Sequence, residues 1–182
     1  MIKAYFTLAK SRDERMIPWW KMYSEKTLKR VMYDEIAPSP EPWLKAVDPQ
    51  HTHLVNVWTQ DGEKMEWVGA SWLVFAYGNA GQTHFVISRK FFHEAPCLGI
   101  QTCEFWFNTL KPCKPECLWG WTPKPYRDVL KMIQIWGFKI IGTIPGGCPM
   151  PTVDKRLRCK DAVISVLTYD NLMAAKAALE VR

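Results

Sequence analysis

Residues 118–146 constrain the fold of this chain most strongly, because strand-like runs, breakers and helical spacing succeed one another within a short segment. The Trp-rich apolar run Leu118 to Thr122 is typical of a buried strand, and Pro123-Lys124-Pro125 ends it. Apolar residues then recur at helical spacing, with polar residues between them. Gly137 follows where a left-handed cap suits glycine, and Phe138 to Ile144 is again strand-like. The order predicts strand, helix and strand.

Three further strands are predicted upstream of this segment. Thr52 to Thr59 and Glu66 to Tyr77 are rich in β-branched and aromatic residues, and Asp61-Gly62 lies between them as a turn. Gly78 to Gly81 provides a second turn, which leads into Gln82 to Ser88. We therefore expect a three-stranded antiparallel meander.

The two ends of the chain are predicted to be mainly helical. Ile2 to Ala9 is a candidate first strand, and the pattern from Asp13 to Ile36 favours helix with an interruption near Pro18. Ala37 to Pro49 contains four prolines and is predicted as a loop that either shapes a substrate cleft or crosses the surface. Asn171 to Glu180 is expected to form a short Ala-rich helix.

Composition favours one globular domain that spans residues 1–182. Apolar residues make up 48% of the chain, and ten of its residues are Trp, so a substantial core is expected. The net charge of +6 is scattered, a pattern that does not favour nucleic-acid binding. No apolar run approaches the roughly 20 residues of a membrane span, and the first residues lack the pattern of a secretion signal. A cytoplasmic location is the expectation.

The six cysteines are interpreted as free thiols, because a chain of this size does not need disulfide bonds to build a core. Three residues separate Cys113 from Cys117, and no zinc-binding pattern of histidines lies nearby. His51 and His53 share a strand face, but no further ligand lies near them in sequence. We predict no metal site.

The strand–helix–strand segment resembles the C-terminal half of the GCN5-related N-acetyltransferase (GNAT) family. The matching residues are Leu118 to Trp121, Pro125 to Trp136, Gly137-Phe138, Gly142, the central strand Gln82 to Ser88, the helix Ala95 to Leu110 and the hairpin strand Asp161 to Tyr169. The resemblance covers about residues 50 to 170 and rests on the order and spacing of elements. It implies an α/β (α+β) fold, with a mixed, mostly antiparallel central sheet flanked by helices.

The resemblance also implies acetyl-CoA as cosubstrate and an amine, on a small molecule or a protein, as acceptor. By position, the backbone of Val86, Ile87 and Ser88 would bind the pantetheine arm. His93, Cys97 and Gly99 would approach the pyrophosphate in a loop before a helix, where backbone amides and the helix dipole suit an anion. The amine would attack the thioester carbonyl, and a base would remove its proton.

The sequence departs from the family pattern at the residues expected to do chemistry. Glu94 stands where the phosphate loop has a glycine, and Ile133 stands where many relatives have a Tyr that protonates the leaving thiolate. Tyr126, at the start of that helix, is a candidate cofactor contact or replacement acid, although a structural role is equally expected. His84 is the candidate base, since an unperturbed imidazole has a pKa of about 6.5. A lone strand histidine more often has a structural role.

The tryptophans support a different hypothesis, a non-enzymatic binding protein. Interfaces are enriched in Trp, and Trp19, Trp20 and Trp43 are predicted to be exposed to a protein partner. Trp119 and Trp121 are predicted to pack on opposite faces of the sheet. The chain combines a phosphate loop that departs from the family pattern with a Gly-Phe segment that keeps it. This combination also resembles small acetyltransferase-like proteins of tailed bacteriophages. In that case the fold would serve as a scaffold in virion assembly, with acetyl transfer reduced or absent.

Overall fold

The computed structural model describes residues 2–31, 39–110, 114–151 and 157–181. Within these ranges the strands form one mixed sheet in the order β1-β2-β3-β4-β5-β7-β6. The strands are β1 Tyr5–Leu8, β2 Thr52–Asp61, β3 Lys64–Tyr77, β4 Ala80–Ile87, β5 Cys117–Pro123, β6 Lys139–Pro151 and β7 Leu157–Thr168. The helices are α1 Arg12–Ser24, α2 Leu28–Val31, α3 Pro40–Ala46, α4 Ala95–Thr109, α5 Arg127–Ile135 and α6 Tyr169–Glu180, with a 3-10 helix at Arg89–Glu94. The predicted fold class is confirmed.

Strands β4 and β5 are the one parallel pair among the described strand pairs. A parallel pair needs a long crossover connection, which here contains the 3-10 helix and α4. Pairing is confined to a short stretch, from Ala80 opposite Cys117 to Gln82 opposite Trp119. The strands separate beyond it, while β4 continues to pair with β3 and β5 with β7.

The sheet has a hydrophobic core on each face. The face that packs against α4, α5 and α6, here called the α5 face, buries residues such as Trp106, Leu118 and Leu172. The opposite face, here called the α1 face, packs against α1 and α3 and buries Trp43 and Val86. Because side chains alternate along a strand, both cores draw on β4.

The predicted strand, helix and strand of residues 118–146 form as β5, α5 and β6. Gly137 follows α5 with φ +95°, in the left-handed region, as its position after the helix predicts. A Cβ atom there would lie 2.6 Å from the backbone oxygen of Asn171, so packing as well as conformation requires glycine. Strand β6 continues to Pro151, beyond the predicted end at Ile144, and carries irregular pairing around Ile144 and Cys148.

The predicted interruption near Pro18 is wrong, because α1 runs through this residue to Ser24. A capping box between Ser11 and Glu14 fixes the start of α1. The helix buries Trp19 and Met22 against the sheet, and this burial offsets the loss of the helical hydrogen bond that Pro18 cannot donate. The break comes instead at Lys26, which has φ 57°.

The Pro-rich segment is also more ordered than predicted, because Pro40–Ala46 forms α3. Its prolines stand in the first helical turn, where backbone N–H groups have no partner within the helix. Trp43 then anchors the helix by burying its indole completely. The remainder of this predicted loop, and the end of the predicted helix before it, lie at residues 32–38, outside the described residues.

The described cysteines, Cys97, Cys103, Cys117, Cys148 and Cys159, are free thiols. In the described part of the chain, no three His, Cys, Asp or Glu side chains are grouped so that they could hold a metal ion. None of the described helices has the length and apolar character needed to cross a membrane.

Candidate functional site

The divergence of β4 and β5 opens a cleft of about 490 Å³ in the middle of the sheet. The strands supply two of its walls, from Thr83 to Ile87 and from Gly120 to Pro123. Helix α5 supplies apolar side chains that include Val129 and Met132. On the α1 face the cleft is lined by Thr27 and by α2. It therefore reaches both faces of the sheet, and its volume is typical of a small-molecule site.

The backbone N–H and C=O groups of β4 point alternately toward β3 and toward the cleft. The Ser88 amide donates to the carbonyl of Val68 on β3 at 2.9 Å, and Val86, two residues earlier, pairs with Ala70. Since backbone groups alternate in direction along a strand, Val86 and Ser88 face β3 while Ile87 faces the cleft. Of the three predicted residues, Ile87 therefore presents its backbone to the cleft, whereas the backbones of Val86 and Ser88 face β3, where the Ser88 amide is already bonded.

Ser88 has a structural partner at the end of β4. Its hydroxyl donates to the Glu25 carboxylate at 2.6 Å, and the amide of Arg89 donates to the same carboxylate at 3.1 Å. Glu25 is the C-cap of α1, so these bonds fix the end of α1 to the end of the cleft strand. They also position the α1–α2 turn, which contributes Thr27 to the cleft.

The segment predicted to be a phosphate loop is helical instead. His93 lies in the last turn of the 3-10 helix and points to solvent, with Nε2 3.7 Å from the Glu94 carboxylate. Cys97 lies inside α4, where its thiol donates to the Ile2 carbonyl at 3.5 Å and accepts from Gln101 at 2.9 Å. Burial raises the pKa of the Cys97 thiol. The side chain of Cys97 is packed against the N-terminal segment, and its predicted contact with a ligand stays a prediction.

Gly99 packs closely against Trp136, and its predicted contact with the pyrophosphate stays a prediction. A Cβ atom at Gly99 would lie 1.9 Å from the indole of Trp136. The indole is buried and donates to the carbonyl of Ala95 at 3.0 Å. This contact holds the end of α5 against the start of α4.

The residues that line the cleft beside the start of α4 are different from those predicted. Arg89, Phe92 and Ala95 all lie there, and Ala95 is the first residue of α4. The next residue, Pro96, has no N–H to offer. The sequence did carry a signal for Arg89, because this cation directly follows the central strand. The family pattern instead placed the phosphate contacts further along the chain, at His93 to Gly99.

His84 lines the cleft, as a site residue should, but in an environment unlike the predicted one. Its half-buried ring stacks on Trp72, with ring centroids 5.0 Å apart and an interplanar angle of 7°. Burial lowers the pKa of His84 to about 4, because the charged imidazolium loses its hydration. The imidazole is thus neutral near pH 7, and it is a weaker base than an unperturbed histidine.

Tyr126 also lines the cleft, at the residue that precedes α5. Its amide donates to the Pro123 carbonyl at 2.9 Å, and its carbonyl accepts the first helical bond, from Leu130 at 3.0 Å. These bonds fix its backbone at the junction of β5 and α5. Ile133, one of the departures from the family pattern, is buried and lines the same cleft.

Two of the three tryptophans predicted at an interface are buried. Trp43 is fully buried and donates to the Arg15 carbonyl at 2.7 Å, while Trp19 packs in the α1-face core and Trp20 alone of the three is exposed, by 58%. The prediction of opposite faces for Trp119 and Trp121 is also wrong. Residues two apart on a strand share a face, and both of these are half-buried.

No family model and no curated protein matches the sequence, whereas solved structures do match the fold. The spermidine N-acetyltransferase from Vibrio cholerae, solved in complex with CoA and spermine, superposes with a TM-score of 0.69 at 10% identity and covers 93% of this chain and 98% of its own. The ribosomal-protein-S18-alanine N-acetyltransferase from Escherichia coli has a TM-score of 0.60 at 12% identity and covers 91% of this chain and 94% of its own. This chain has the fold of the GCN5-related N-acetyltransferases.

Proposed function

We propose that this protein binds acetyl-CoA between β4 and β5 and transfers the acetyl group to an amine. The observation that carries the proposal is the separation of the one described parallel strand pair into an apolar cleft that reaches both faces of the sheet. A cleft open to both faces lets a thioester and an amine approach the same point from opposite sides. The solved neighbours, one of which was solved with CoA, support this use of the fold.

The cleft has groups that suit the two parts of the cosubstrate. Ile87 presents backbone groups at the edge of β4, where the amide-containing pantetheine arm can form hydrogen bonds as an additional strand would. The apolar side chains of α5 line the cleft beside it. Arg89 and the start of α4 offer a cation and helix amides for the pyrophosphate. Glu94 weakens this end of the site, because a carboxylate next to it repels an anion.

The chemistry would be direct transfer. The amine nitrogen attacks the thioester carbon, the C–N bond forms, the C–S bond breaks, and the amine loses a proton as the CoA sulfur gains one. His84 lines the cleft and is unprotonated near pH 7, so it is the proposed proton acceptor. The Tyr126 phenol is the proposed proton donor to sulfur, since Ile133 cannot serve.

The test is release of the CoA thiol from acetyl-CoA in the presence of a panel of amines, with the acetylated product identified by mass spectrometry. Tyr126→Phe is expected to lower kcat at an unchanged KM for acetyl-CoA. His84→Ala is expected to lower the rate with the acceptor. Tyr169→Phe is the control, because this tyrosine is exposed on α6 and does not line the cleft. Thiol release that no amine accelerates would refute acetyl transfer.

A second candidate is a binding protein that has lost the transferase activity. The structure of the phosphate segment favours it, because Cys97 and Gly99 are committed to packing and Pro96 lacks an N–H. This candidate predicts a folded protein that binds neither acetyl-CoA nor CoA. The predicted roles in virion assembly and in protein binding through exposed tryptophan remain predictions, and only Trp20 of the three proposed interface residues is available for the latter.

A further inference from the structure

We propose that Glu25 is a positioning residue of the cosubstrate site, because it fixes the backbone from which Arg89 reaches into the cleft. The proposal rests on the proposed function, since it concerns how acetyl-CoA is bound at that same site. It follows from the two hydrogen bonds that the Glu25 carboxylate accepts, from the conformation of the turn that carries Glu25, and from the places of Arg89 and Thr27 on the cleft wall.

The Glu25 carboxylate accepts a hydrogen bond with each of its oxygens at the end of β4. Oε1 accepts from the Ser88 hydroxyl at 2.6 Å, and Oε2 accepts from the Arg89 amide at 3.1 Å. Hydrogen bonds to an ionised carboxylate are stronger than those between neutral groups, and Ser88 is buried. Arg89 is the first residue of the 3-10 helix and lines the cleft. The carboxylate therefore holds the backbone of Arg89 at the point where the cleft strand ends.

The turn that carries Glu25 has a conformation that needs support. Lys26 follows Glu25, the C-cap of α1, with φ 57°, in the left-handed region that disfavours residues other than glycine. The Lys26 amide donates to the Tyr23 carbonyl at 3.1 Å, and the Thr27 amide donates to the Met22 carbonyl at 2.9 Å. These two bonds form a Schellman motif, which usually has glycine in place of Lys26. Such strained residues persist where their surroundings fix them, and the bonds of Glu25 to the end of β4 contribute to this.

The two segments that Glu25 joins face different parts of the cleft. Thr27 lines the cleft on the α1 face, whereas Arg89 lines it beside the start of α4. Arg89 is the cation that the proposed function assigns to the pyrophosphate. A long arginine side chain loses conformational freedom when it binds a phosphate, and a fixed backbone leaves it less freedom to lose. Glu25 therefore supports the phosphate end of the cosubstrate rather than the pantetheine arm, which the proposed function places along Ile87 and α5.

The role of Glu25 is geometric, because its negative charge by itself repels a pyrophosphate. Glutamine has the same shape without the charge. Its Oε1 can accept from the Arg89 amide, and its Nε2 can donate to the Ser88 hydroxyl, since a hydroxyl accepts as well as donates. We therefore expect Glu25→Gln to keep both bonds, whereas Glu25→Ala loses them. A comparison of the two variants separates position from charge.

The experiment compares two ligands that differ in their phosphates and nucleoside. Acetyl-CoA is titrated by calorimetry and S-acetylpantetheine by NMR, which measures weak binding. We expect Glu25→Ala to weaken acetyl-CoA binding about threefold to tenfold, the ordering cost of one long side chain, and S-acetylpantetheine binding less than about twofold. Glu25→Gln should bind acetyl-CoA at least as tightly as the wild type. Glu104→Ala is the matched control, because Glu104 also accepts two bonds, both from Lys176 on α6, and is not among the described residues that line the cleft.

The outcomes separate this proposal from the proposed function. Wild-type acetyl-CoA affinity in Glu25→Ala, or equal weakening of both ligands, overturns the positioning role and leaves the proposed function standing. Equal losses in Glu25→Gln and Glu25→Ala also overturn it. Ser88→Ala removes one of the two bonds and is expected to weaken acetyl-CoA binding by a smaller factor, so it tests the role should Glu25→Ala not fold. Absence of acetyl-CoA binding by the folded wild type is the one outcome that overturns both.

Discussion

The packing of Gly99 against Trp136 predicts that Gly99→Ala destabilises the protein, although alanine is the better helix former. In an open helix position the substitution stabilises by about 1 kcal/mol. Here the new Cβ would lie 1.9 Å from an indole that is buried, rigid and bonded to the Ala95 carbonyl. Overpacking costs about 1–3 kcal/mol, and loss of a buried hydrogen bond costs a similar amount. The expected net loss is about 2–3 kcal/mol.

The assay is urea unfolding followed by circular dichroism, with the thermal midpoint as a second measure. A loss of this size lowers Tm by roughly 4–12 °C in a chain of this length. Gly142→Ala is the control, because no atom lies within 4 Å of a Cβ there, and we expect it to unfold like the wild type. In a Trp136→Leu background, Gly99→Ala should be neutral or stabilising, since the collision is gone. Wild-type stability of the single Gly99→Ala variant would refute the packing role.

Three further predictions concern buried polar and aromatic groups. Ser71→Ala should lower the free energy of unfolding by about 1–3 kcal/mol in urea titrations, because the Ser71 hydroxyl accepts the buried Trp106 indole N–H at 2.9 Å. Trp43→Ala should lower the free energy of unfolding by about 3–5 kcal/mol, because Trp43 is fully buried, whereas Trp20→Ala, at an exposed position, should lower it by less than about 0.5 kcal/mol. Comparable losses in the two variants would contradict this difference in burial. Burial lowers the pKa of His84 to about 4, so below pH 6.5 the unfolded chain binds a proton that the folded chain does not, and stability falls as the pH drops. Relative to His84→Gln, the wild type should lose up to about 3 kcal/mol between pH 6.5 and 4, and parallel pH profiles would contradict the shifted pKa.

The fold was predictable where local signals agree with tertiary packing. The apolar run from Leu118, the helical spacing after it and Gly137 together produce β5, α5 and the turn into β6, because each residue suits both its local conformation and its core position. Pro18 and Pro40 were misinterpreted because proline is compatible with a helix whose other residues bury large side chains, and that burial is a tertiary property.

The site was predictable only in part. His84 and Tyr126 line the cleft because order along the chain fixes which elements meet there, and their catalytic roles stay predictions. Cys97 and Gly99 were assigned by analogy with a loop, whereas this chain forms helix over that segment and packs Gly99 on a tryptophan from α5. A contact between two residues that distant in sequence leaves no local pattern. The low pKa of His84 likewise comes from burial that the sequence does not reveal.

Isothermal titration of the protein with acetyl-CoA and with CoA tests the central claim, that the space between β4 and β5 is an acyl-CoA site, most directly. The wild type is compared with Val129→Trp, which fills the cleft from α5, and with Ile135→Trp, which changes an exposed position on the same helix. We predict micromolar binding by the wild type and by Ile135→Trp, and none by folded Val129→Trp. Absence of binding by well-folded wild type, or equal binding by Val129→Trp, would contradict the account.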